Sequence, residues 1–189
     1  MSTHSPSAPY VEPWLRGTHG DVPAVARAVL HAFDLAFDDL TKWTDGLTDL
    51  EIHTLPLELA PVAFHLRHIA RSVDRLLTYA EGGQLSTEQL TKLKAEEVGP
   101  QHDERETLAA LLDEVKTSFA IASERVRALS MADPNTFRGV GRKQLPTSVG
   151  GALVHVADHT MRHVGQVVTT AKVLKSLRIK EPIAAVTKP

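Results

Sequence analysis

Three histidines four residues apart stand in the run His-Val-Ala-Asp-His-Thr-Met-Arg-His-Val-Gly-Gln, at His155, His159 and His163. On an α-helix, residues four apart lie about 40° apart in azimuth and roughly 6 Å apart along the axis, so neighbours share a face and can chelate one metal ion. The outer two are separated by roughly 12 Å of rise, too far for both to reach a metal through nitrogens about 2.1 Å from it. Two of the three can serve one ion, and a further ligand must come from another element.

The face of the helix selects the pair. Val149, Val156, Val167 and Leu174 recur at spacings of seven and eleven and form the apolar stripe that this helix should bury. His163 lies nearest the stripe, His159 next, and His155 furthest round, at the margin. The competing reading is an ordinary amphipathic helix carrying histidines on its rim.

The elements that must position such a pair are long and helical. Asp21 and Pro23 suit the start of a first helix whose stripe is Val22, Val25, Val29, Phe33, Ala36, Leu40 and Trp43, ending at Asp45-Gly46. His31 lies off that stripe and is expected to face solvent. A second helix is predicted from about 57 to 80 on Val62, Leu66, Ile69, Val73, Leu76 and Leu77, with Pro61 in its first turns or at its regular start, and Gly82-Gly83 stopping it. Residues 86–97 have some helical character, and Pro100 is a break. A third long helix is expected over 103–130 on Leu108, Leu112, Val115, Phe119, Ala122, Val126 and Leu129. The fourth, capped by Thr147 or Ser148, runs to about Ser176.

Four long amphipathic helices and no alternating strand pattern predict an all-α four-helix bundle over 21–176, preceded by an N-terminal arm over 1–20 anchored by Trp14 and Leu15, and followed by a tail over 177–189. The connection at 135–146 carries Gly139, Gly141, Arg142 and Lys143 without the spacing of a phosphate-binding loop; it reads as a flexible link or as a basic rim for an anionic substrate group. Bundles build metal sites from side chains projecting inward from facing helices. Helix two offers His65 and His68, and the wheel alone favours His65, which is closer to Val62 and Ile69. Tyr79, Arg71 and Arg75 are weaker pocket candidates.

Composition limits the function classes. A net charge of −2 over 189 residues provides no basic surface for nucleic acid or an anionic membrane. No segment approaches the roughly 20 apolar residues of a membrane span, and the first 20 residues lack the basic start and apolar run of a signal peptide, so a soluble, cytoplasmic protein is expected. There is no cysteine, which removes disulfides, thiolate nucleophiles and cysteine zinc sites, while the ten histidines point to metal or acid–base chemistry.

His68-Ile69-Ala70-Arg71-Ser72, followed some ninety residues later by His159-Thr160-Met161-Arg162-His163-Val164-Gly165-Gln166, resembles the DinB/YfiT-like family of metalloenzymes. The resemblance covers roughly 20–176 and implies a DinB-like four-helix bundle, with His68, His159 and His163 as a three-histidine site for a divalent metal, zinc or nickel foremost. On helix two it overrides the wheel, and it leaves His155 without an assigned role. It further implies a homodimer, a small-molecule substrate, and S-transferase chemistry on a low-molecular-weight thiol such as bacillithiol, mycothiol or glutathione. Two alternatives stand beside it. One is metal-dependent hydrolysis with Asp158 or Asp74 as general base. The other is a non-enzymatic, stress-related binding or dimerising bundle, which gains weight if His65 or His155 closes the coordination.

Overall fold

The computed structural model describes residues 9–98 and 105–180. It is mostly helical: α1 (Ala24–Thr44), α2 (Val62–Ala80), α3 (Thr87–Val98), α4 (Leu108–Leu129) and α5 (Val149–Lys180), with one antiparallel pair of short strands, β1 (Phe137–Val140) and β2 (Leu145–Ser148). The expected break at Pro100, a helix start at Asp103 and the end of the tail lie outside the described residues. Among the described residues no helix is long and apolar enough to cross a membrane.

Burial at spacings of three and four explains the four long helices. On α4, Leu111, Val115, Phe119, Ala122, Val126 and Leu129 are buried, and on α1 the buried set is Ala26, Val29, Leu30, Phe33, Ala36, Leu40 and Thr44. α1 packs on α4 and α5, and α2 packs on the same two, so the four enclose one core. Within it Phe33 and Phe119 stack at 4.8 Å between centroids. α2 and α5 run antiparallel, since His68 faces His159, His65 faces His163 and Ala60 faces Thr170.

Several boundaries differ from the sequence expectation. α1 starts after Pro23, and Asp21 pairs with Arg127 instead of capping the helix. α2 starts only after Pro61, because Leu57 and Glu58 take positive φ in a 3-10 turn that cannot continue into a helix. Ser148 caps α5, accepting from Gly151 N–H at 3.1 Å, and the helix continues past Ser176. Among the described residues of the arm Pro13 is buried, not Trp14 or Leu15; Trp14 is 62% exposed. His31 is half-buried against that arm, with Nε2 3.2 Å from the Thr18 carbonyl.

The hairpin is the departure from an all-α fold. Gly141 and Gln144 take positive φ at its turn, and Thr136 and Val149 are bonded across its base. Arg138 donates to the Ala80 carbonyl at 2.5 Å, which ties the hairpin to the C-terminal end of α2. Arg142 and Lys143 are exposed at the turn.

Candidate metal centre

α2 and α5 bring the chemistry together. His65 and His68 occupy the first two turns of α2, and His159 and His163 sit one turn apart on α5 behind its buried stripe of Val156, Thr160, Val164 and Val167. One ring nitrogen from each of His68, His159 and His163 lies within 4.8 Å of the other two. His68 Nε2 and His159 Nε2 are 3.5 Å apart. All three side chains are half-buried, at the margin of the core.

The outer faces of the imidazoles are held differently. Glu96 of α3 accepts from His68 Nδ1 at 2.9 Å, and its carboxylate also takes Arg75 Nη1 at 2.7 Å and Nη2 at 3.1 Å. Burial pushes the Glu96 pKa up, but His68 and Arg75 outweigh it and hold the group below its usual value. An ionised carboxylate can only accept, so His68 carries its proton on Nδ1 and turns the Nε2 lone pair inward. His163 Nδ1 meets His65 Nδ1 at 3.1 Å, one ring donating and the other accepting. His159 Nδ1 is buried without a hydrogen-bond partner among the described residues.

The two histidines of α5 are held toward their neutral form. Burial, followed by the neighbouring His163, His68, His155 and Arg162, lowers the His159 pKa to about 4. Burial, with His68 and Arg162 adding to it, brings His163 to about 4 as well. Behind them His65, only 4% exposed, is lowered to about 4 by burial and then by His163 and His68. Phe64 stacks over His68 at 5.7 Å and 14°, giving the site an apolar wall.

These residues fit a metal ion. Two nitrogens bound tetrahedrally at 2.0–2.1 Å lie about 3.4 Å apart, close to the 3.5 Å between His68 and His159. Among the described residues no fourth histidine or acid joins the group. His65 lies behind His163, and His155 is exposed and pairs with Asp158 at 3.0 Å.

This is a helical protein with a three-histidine group able to hold a metal ion. The DinB superfamily model matches residues 32–167, and the chain belongs to that superfamily. A comparison with curated proteins finds none that matches it.

Other expected site residues are engaged elsewhere. Asp74 is bound by Arg125 at 2.7 Å and by Gln89 at 2.8 Å, and Asp158 pairs with His155 and Arg162. Arg71 and Arg75 line a cavity of about 340 Å³ between α2, α3 and α4, where Arg71 is paired with Glu114. Tyr79 does not line it. Sequence reasoning missed Glu96. It stands in a polar segment with no periodicity, 28 residues after the histidine it holds, and no local signal marks it.

Proposed function

We propose that this chain is a DinB-like four-helix bundle in which His68, His159 and His163 hold one divalent cation, zinc or nickel, and that it acts on a small molecule as a thiol-dependent S-transferase. The observation that carries the metal reading is the meeting of three imidazole nitrogens from two helices within 4.8 Å. The ring of α1, α4, α2 and α5 around one core supports the bundle. A divalent ion on three imidazoles retains its full positive charge and supplies a Lewis acid that lowers the pKa of a thiol or of water.

The protein's own groups prepare that chemistry. His159 and His163, with pKa values lowered to about 4, offer lone pairs at neutral pH without first losing a proton. Glu96 turns His68 Nε2 inward, and Phe64 excludes water from one side. With no cysteine in the chain, the nucleophilic sulfur has to arrive on a small thiol. In the transfer the S–H proton is released, a sulfur–carbon bond forms at the electrophile, and the electrophile's leaving group or π-electron pair departs from that carbon.

The hydrolytic alternative is disfavoured because Asp74 and Asp158, its candidate bases, are tied to Arg125 and to His155 and Arg162. A purely structural metal is disfavoured because no fourth ligand joins the group among the described residues. A homodimer in the cytoplasm completes the proposal. The test is to load the purified chain with zinc or nickel and follow thiol loss with bacillithiol, mycothiol and glutathione against an alkylating electrophile. Metal-dependent consumption of one thiol is expected. No consumption with any of the three would overturn the transferase assignment.

A further inference from the structure

Among its described side chains α3 buries a single residue, and that residue is a carboxylate. Glu96 is 5% exposed, whereas the apolar Leu90 on the same helix is 43% exposed. A helix ordinarily docks by an apolar stripe. α3 instead rests on α2 through two polar clusters: Gln89 donates to Asp74 and to the Thr78 hydroxyl at 2.8 Å each, and Glu96 joins His68 to Arg75.

We propose that Glu96 is a positioning residue that fixes the His68 tautomer for metal binding, so that filling the three-histidine site and docking α3 on α2 are coupled. The inference rests on the three histidines holding a divalent ion. The carboxylate accepts at 2.9 Å from Nδ1, which leaves Nε2 as the free lone pair beside His159 Nε2 at 3.5 Å. Arg75 occupies both carboxylate oxygens from the other side, so Glu96 cannot turn away without stranding a buried guanidinium, 7% exposed. A cation on Nε2 polarises the ring and makes Nδ1–H a stronger donor to Glu96. Coupling between the two events is reciprocal: the factor by which the ion favours docked α3 is the factor by which docked α3 raises affinity for the ion. Groups that orient a ligating histidine commonly contribute about 10- to 100-fold in metal affinity.

The experiment uses the full chain and three readouts. Zinc affinity is measured by chelator competition for wild type and Glu96→Gln, hydrogen exchange of the α3 amides is followed with and without zinc, and ring-nitrogen NMR reads the His68 tautomer without any metal. Expected are an Nδ1–H tautomer in wild type, zinc-dependent protection of α3, and about 10- to 100-fold weaker zinc binding in Glu96→Gln with that protection lost. Unchanged zinc affinity in the folded variant, no zinc-dependent protection of α3 in wild type, or a dominant Nε2–H tautomer in wild type would each overturn the proposal. The last two need no variant, so a misfolded Glu96→Gln leaves the test intact. If wild type binds no zinc, the metal-site reading fails on its own, and the tautomer measurement still decides the role of Glu96.

Discussion

Replacing His65 by glutamine should flatten the acid side of the stability profile of the metal-free protein. His65 is 4% exposed and its pKa is lowered from 6.5 to about 4, by burial first and then by His163 and His68. The unfolded chain therefore binds the His65 proton more readily than the folded one does. The stability contributed by this group is fully present above pH 6.5 and is lost as pH falls toward 4. At about 1.4 kcal/mol per pH unit, the loss is roughly 2 kcal/mol by pH 5 and about 3 kcal/mol by pH 4. Glutamine keeps a hydrogen-bonding group beside His163 but does not titrate. Urea unfolding of chelator-treated wild type and His65→Gln from pH 7.5 to 4 should show the stability difference shrinking by that amount. Glu51, held at about 2 chiefly by Arg178, begins to lose its contribution only below its usual 4.5, at the acid edge of the window, and is present in both proteins. A difference that stays constant across the range would refute the reasoning.

The core and one loop give further tests. Phe119→Ala removes the partner that stacks on Phe33 at 4.8 Å in the core and should lower unfolding stability by about 3–5 kcal/mol in chemical denaturation. Leu57 is 73% exposed at φ +52, so Leu57→Asn should raise stability by up to about 1 kcal/mol by easing the left-handed backbone, read as a higher unfolding midpoint.

Much of the helical frame was legible because burial follows periodicity. The stripe from Val115 through Leu129 on α4 and the set Val149, Val156, Val167 and Leu174 on α5 are buried as their spacing predicts. At helix ends the rule weakens: in the first turns of α4 Leu111 is buried while Leu108 and Leu112 are only partly so, and Val25 is 37% exposed. The hairpin escaped because its four-residue strands are set by turn glycines and by a bond to the end of α2, not by alternation. The wheel on α2 correctly read His65 as the more buried histidine. It misled as a guide to the converging group, since that group is half-buried at the edge of the core, where His68 meets α5. Only the family motif pointed to His68. Glu96 was beyond either approach, because its partners His68 and Arg75 come from a different helix and no spacing rule relates them.

The central claim is tested most directly by metal content, measured by mass spectrometry on protein purified without an affinity tag, for wild type, His68→Ala and His163→Ala. About one divalent ion per chain in wild type, lost in both variants, is the result expected of a site shared between α2 and α5. Wild type that stays metal-free after reconstitution with zinc and with nickel, or variants that keep the full ion content, would contradict it.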